Sequence, residues 1–214
     1  MKFDKGIHKK YRHSIEDAFQ TILEKGNERH KKTAHLILDS EMLVCVHPVS
    51  KVCASGITGA IDSARLNERV KNEILSLHEA FGELFITIAE ETIDTGFQRG
   101  CEGTFVHESQ HAFDFAQVIE SFSDSAVNPL SIFNPTLYEL ELEAHLAASE
   151  YMILIGKDEY LEEGLSLMVL GRGADGGCFI DRDGINCRLR DSYGLEFDGK
   201  QGRFAGEMLG LRQR

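Results

Sequence analysis

The chain has 214 residues, enough to bury a substantial core, and one domain spanning 1–214 is the expectation. Hydrophobic content of 42% with 27% charged residues is ordinary for a globular chain, and a formal net charge of −12 leaves no basic surplus to displace counterions from a phosphate backbone, which argues against a nucleic-acid partner. No apolar stretch approaches the length of a membrane span, the basic N-terminus never enters the apolar run of a secretory signal, and the five scattered cysteines (Cys45, Cys53, Cys101, Cys178, Cys187) contain no C-x-x-C pair. The expected setting is therefore the cytoplasm with reduced thiols, or export as an effector without a signal peptide; the oligomeric state is left open.

In chain order, residues 14–25 predict a short amphipathic helix with Ser14 as N-cap, Asp17 three residues on, and Gly26 beyond its end. The apolar runs His35–Leu38 and Met42–Val46 read as strands ending before Pro48. Residues 63–81 carry a helical stripe of Leu66, Val70, Ile74, Leu77 and Phe81, stopped by Gly82. Glu83–Ala89 has the β-branched and aromatic content of a strand. Thr104 is placed to cap a helix running to about Phe122, and a second long helix covers about 136–154 after a connection bounded by Pro129 and Pro135. The last sixty or so residues carry three Asp-Gly dipeptides, at 175–176, 183–184 and 198–199, alternating with Cys178–Ile180 and Ile185–Leu189, which predicts a β-hairpin-rich tail. The expected class is α+β, with N-terminal helices and strands over 1–100, two long helices over 101–155 and a β-rich segment over 156–214.

Residues 107–111 read His-Glu-Ser-Gln-His. On a helix His107 and His111 are i and i+4, so both imidazoles leave one face about a turn apart, the spacing two nitrogens need to hold one tetrahedral zinc. Glu108 lies on the edge of that face, where its carboxylate can act as general base on a water at the metal without being a ligand. A catalytic zinc needs a third protein ligand and an open position. Asp114, at i+3 from His111, shares the histidine face and is a candidate either to orient an imidazole or to be that ligand.

The pentapeptide, followed by a second helix rich in carboxylates, resembles the zincin metallopeptidases and within them the gluzincin branch, over about residues 83–150. In that branch H-E-x-x-H is completed by a glutamate from a following helix in an E-x-x-A pattern, which Glu141-Leu142-Glu143-Ala144 fits. The resemblance implies a zincin-like fold, a Zn²⁺ cofactor held by His107, His111 and Glu141, and hydrolysis of a peptide or protein substrate. Glu139 and Glu143 fall on the other side of the helix and are expected in solvent. His145 and Tyr138, one turn either side of Glu141, are candidate donors to the oxyanion, or packing residues of a buried helix. The strand at 83–89 resembles the edge strand against which an extended peptide pairs, or is an interior strand. The longer metzincin pattern fails, since no glycine follows at its expected place.

Other motifs carry less. Ile93-Asp94-Thr95-Gly96 matches an aspartic-protease signature, but the chain has a single Asp-Thr-Gly and the turn reading wins. Asp181-Arg182-Asp183-Gly184 lacks the spacing of a calcium loop and reads as a hairpin turn. The alternative to an enzyme is a non-catalytic protein-binding module with a structural metal or none. Glu108 argues against it, because a closed structural site has no use for a base; Cys101 could close such a site only by folding back over the helix start.

Overall fold

The computed structural model describes residues 1–95, 99–124 and 126–211. Among these the chain forms an α+β fold of eleven α-helices, a four-stranded mixed sheet and a separate two-stranded hairpin. The sheet comprises β1 (Lys2–Phe3), β2 (Leu43–His47), β3 (Gly56–Ala60) and β4 (Leu84–Ala89) in the order β1-β2-β4-β3. β1, β2 and β4 are parallel, while β3 runs antiparallel to β4 with Thr58 opposite Ile86. β4 is paired on both sides, which is why its sequence is nearly continuous in apolar residues. Of the two roles read for residues 83–89, the interior one holds. The sheet edges belong to β1 and β3, and the Gly-Ile-Thr-Gly-Ala sequence of β3 gives little signal.

Helices surround the sheet: α1 (Lys9–Lys25), α2 (Glu28–Asp39), α3 (Val49–Val52), α4 (Ser63–Asn72), α5 (Leu77–Phe81), α6 (Glu90–Asp94), α7 (Arg99–Ser123), α8 (Leu137–Ile155), α9 (Asp158–Ser166), α10 (Arg182–Arg188) and α11 (Ala205–Met208). α1 starts earlier than expected, capped by His8, whose Nδ1 accepts from the Lys10 N–H; Ser14 lies inside the helix and its hydroxyl donates to the Lys10 carbonyl. The expected strand His35–Leu38 is corrected to the end of α2. Asn27 and His30 form a reciprocal capping box there, and His30, Thr33, Ala34 and Ile37 recur at helical spacing as the buried face. The expected helix 63–81 is two helices. Glu73 turns to extended backbone, Leu75 takes the buried place meant for the exposed Ile74, and Ser76 with Glu79 caps α5 afresh.

The β-rich tail is also corrected. Leu170–Arg172 (β5) and Cys178–Ile180 (β6) pair about a turn at Asp175-Gly176, where Gly176 takes φ 82°, as the Asp-Gly chemistry predicts. The second Asp-Gly instead sits in the first turn of α10, because the Asp181 carboxylate accepts from the Gly184 N–H and caps a helix. Ile185 and Leu189 are i and i+4, and both are fully buried on one helical face. α10 runs on into a single π-helical turn, Leu189–Tyr193, ended by the left-handed Gly194. α9 was not foreseen. The third Asp-Gly is a tight turn in which the Glu196 N–H donates to the Lys200 carbonyl.

Two apolar clusters result. The larger holds the sheet against α1, α2 and α7; the smaller joins Tyr160 of α9, Leu170 of the hairpin, and Ile185 and Leu189. α8 serves both, giving Leu140, Ala147 and Tyr151 to the first and Tyr138, Leu146 and Met152 to the second. It is buried almost all round, as its weak amphipathicity requires. No helix among the described residues is long and apolar enough to cross a membrane.

Candidate metal centre

The motif lies well inside α7, whose start upstream of Thr104 leaves that threonine buried in the helix rather than capping it. α7 is pinned by Phe105, Ala112, Phe115, Val118, Ile119 and Phe122, all buried, so the histidine face has one fixed direction. α8 begins at a capping box in which Thr136 and Glu139 satisfy each other, and Glu143 pairs with Arg29 at 2.8 Å. Those two carboxylates are thereby committed elsewhere, and Glu141 is left facing α7 with the small, fully buried Ala144 close by.

The three side chains converge. His107 Nε2 and His111 Nε2 are 3.1 Å apart, and each lies 3.5 Å from a Glu141 carboxylate oxygen. Nitrogen or oxygen atoms arranged tetrahedrally about 2.0–2.1 Å from one zinc would be separated by ~3.3 Å. The observed spacings bracket that value. His107, His111 and Glu141 are, among the described residues, a group able to hold a metal ion, with ligand atoms within 4.8 Å of one another. Glu141 Oε2 is shielded from solvent without a hydrogen-bond partner, a state that costs free energy unless a cation is nearby.

The electrostatics agree. Burial pushes the Glu108 carboxyl up to about 8 against the opposing Thr58 hydrogen bond, and the charge of Glu141 adds to the rise. Burial, with His107 behind it, holds His111 down at about 4, so its imidazole is neutral, the form that ligates metal. Two buried carboxyl groups beside the neutral His111 imidazole form a set whose negative charge a divalent cation would compensate.

Glu108 is oriented from β3. The Thr58 hydroxyl donates to Glu108 Oε2 at 2.7 Å, and a side chain at Gly56 would bring its Cβ within 2.8 Å of Glu108 Cγ. Strand and helix therefore touch at a point where only glycine fits. His107 and Glu108 line a cleft of about 240 Å³, together with Ser55, Gly56, His145, Arg188 and Tyr193.

The remaining sequence candidates fall as follows. His145 is in the cleft, its ring centroid 4.8 Å from that of His107 and its Nε2 buried without a partner. Asp114 stands apart: Oδ1 accepts from Gln110, its i−4 neighbour, at 2.9 Å, while Oδ2 and His111 Nδ1 both lack a partner. The metal-ligand group does not include it, and the His111 ring is instead stacked on Phe115. Tyr138 donates to Asn186 at 2.6 Å within the smaller apolar cluster and is not among the cleft residues. Asp94 of the Asp-Thr-Gly decoy ends α6 and accepts from Lys10 and Tyr11; Gly96 and the Cys101 side chain lie outside the described residues.

Sequence reasoning missed Gly56, Thr58, Arg188 and Tyr193. Tyr193 meets His145 edge-on at 6.3 Å, and burial first, then the Glu141 charge, raises its hydroxyl to about 12, so it stays a donor. None of the four sits in a local motif; only the fold brings them to α7. No protein-family model matches the chain, and comparison with curated proteins and with solved structures finds no match.

Proposed function

We propose that the chain is a zinc-dependent peptidase in which His107, His111 and Glu141 hold the metal and Glu108 is the general base. The observation that carries this reading is the 3.1 Å and 3.5 Å spacing of two imidazole nitrogens and a carboxylate drawn from two helices. A nitrogen-and-oxygen set of this kind suits zinc, which when bound supplies a Lewis acid and lowers the pKa of water in its open position toward neutrality.

With a cation offsetting its burial and the charge of Glu141, Glu108 would be ionised and, held by Thr58, would take the proton of the attacking water and deliver it to the leaving amine. Tyr193, protonated at neutral pH, donates to the carbonyl oxygen as negative charge develops there, with His145 beside it as a second donor. Among the described residues β3 pairs only with β4 and contributes Gly56 to the cleft, which offers its other edge to an extended peptide by strand addition. That feature favours a polypeptide over a compact small molecule.

A closed structural metal site would need a fourth protein ligand. His145 is the nearest candidate, yet it lies outside the group whose ligand atoms fall within 4.8 Å of one another. The purified protein is expected to carry one zinc per chain, lost in His111→Ala. Glu108→Gln should keep the metal and lose turnover of a mixed-sequence peptide library by roughly 10²- to 10⁴-fold, the usual worth of a general base. A glutamine variant that cleaves at the native rate would refute this mechanism.

A further inference from the structure

Arg188 is the one permanent cation among the described residues that line the cleft. It ends α10, and the π-helical turn that follows brings Tyr193 to the same wall. Its Nε is shielded from solvent and has no hydrogen-bond partner, and none of the ion pairs among the described residues involves it. A half-buried guanidinium with no carboxylate in ion-pair contact is costly to keep, and its planar fork of donors matches a carboxylate in two parallel hydrogen bonds.

We propose that Arg188 binds a carboxylate of the substrate, so that the cleft takes peptides carrying a negative group next to the bond that reacts. This rests on the peptidase reading for what happens next, but not for the binding itself. The cleft, at about 240 Å³, is smaller than the ~300–1,000 Å³ of pockets that enclose drug-sized ligands, and so has room for a residue-sized piece. The shared chemistry is a carboxylate in reach of Arg188. It has two sources, the free C-terminus of a chain or the side chain of an aspartate or glutamate.

The test is binding to the full chain with its metal as purified, followed by NMR titration. N-acetyl-alanine against N-acetyl-alaninamide probes the terminus, and N-acetyl-glutamate α-amide against N-acetyl-glutamine α-amide probes the side chain. In at least one pair the acid should bind about 10- to 100-fold more tightly than its neutral partner, as expected for hydrogen bonds between charged groups. Which pair discriminates identifies the source. Any carboxylate affinity owed to the metal survives in Arg188→Ala, so the preference that disappears in that variant is the part due to the guanidinium. Equal binding within both pairs, no binding in either, or an acid preference unchanged in Arg188→Ala overturns the inference. Should that variant not fold, Arg188→Lys decides, since it keeps the charge and loses the fork: a reduced preference supports the assignment and an unchanged one overturns it. In turnover, loss of Arg188 should raise KM for acidic substrates and leave kcat nearly unchanged; an equal kcat loss for acids and amides would place Arg188 at the transition state instead. Absence of zinc would sink the peptidase reading and leave this binding result standing.

Discussion

Gly56 and Glu108 set the tolerance of the site at the level of single atoms. A methyl group at Gly56 would stand 2.8 Å from Glu108 Cγ, 2.9 Å from Oε1 and 2.9 Å from Thr104 Cγ2. Gly56→Ala is therefore expected to move the carboxylate off the Thr58 hydroxyl, lowering turnover at least ~10-fold while zinc content stays at one per chain, at a stability cost of about 1–3 kcal/mol for overpacking. Parallel metal analysis and kinetics check it; unaltered kinetics would mean that Glu108 does not need that contact. Asp114 gives a pH prediction. Burial pushes its carboxyl up to about 7, against hydrogen bonding by Gln110. An acid whose folded pKa lies above its unfolded value binds more protons folded, so its contribution is full below about pH 4 and is lost as pH rises to about 7. At about 1.4 kcal/mol per pKa unit the loss is on the order of 4 kcal/mol, and Asp114→Asn should remove it. Urea midpoints of both proteins at pH 5 and pH 8 measure the difference; equal slopes would show that Asp114 ionises freely. The sequence could single out His107, Glu108 and His111 because i, i+4 geometry is local, and it offered Glu141 of the next helix, with Asp114 of the motif helix as the alternative, as the carboxylate to complete the proposed ligand set. It could not reach Gly56, Arg188 or Tyr193, whose roles depend on which strand and which turn pack against α7.

At the scale of elements, α2 explains what local pattern can and cannot carry. The run His35–Leu38 has the length and apolar density of a strand, and over four residues a helix and a strand look alike. The deciding signal lay upstream, where Asn27 accepts from the His30 N–H at 3.0 Å and His30 Nδ1 accepts from the Asn27 N–H at 3.3 Å. Because Nδ1 accepts, Nε2 carries the proton and donates to the Ala147 carbonyl of α8 at 3.0 Å. One imidazole thus starts α2 and ties it to the helix that bears Glu141. Asn27→Ala should cost about 1 kcal/mol, the usual worth of a cap, and His30→Ala more, about 2–4 kcal/mol, since it strips a buried carbonyl of its donor as well. Thermal denaturation distinguishes the two; equal losses would mean that the Ala147 bond contributes nothing. The split of 63–81 into α4 and α5 follows the same rule, for the Ser76–Glu79 box is a start signal that a continuous apolar stripe concealed. The long helices and β4 were legible because their signals extend over many residues. β1, β3 and α9 were not, being short or glycine-rich and ordered by their neighbours.

For the molecule as a whole, α8 is the joint between the two apolar clusters, and the three proposed ligands tie it to α7 of the larger one. A metal bound there links the helices, so its removal should be felt globally. With free zinc about 1,000-fold above its dissociation constant, binding contributes about 4 kcal/mol, and at ~2–4 °C per kcal/mol for a chain of this size Tm should fall by roughly 8–16 °C on chelation. Calorimetric scans with and without chelator test this, and an unchanged Tm would mean that no metal bridges α7 and α8. The cleft has a further property. Of its lining residues, Gly56, His107 and Glu108 come from β3 and the motif helix, whereas Arg188 and Tyr193 come from a stretch near the C-terminus. Mutations in that later stretch can thus alter Arg188, the proposed substrate contact, and Tyr193, the proposed oxyanion donor, without touching the pentapeptide or β3.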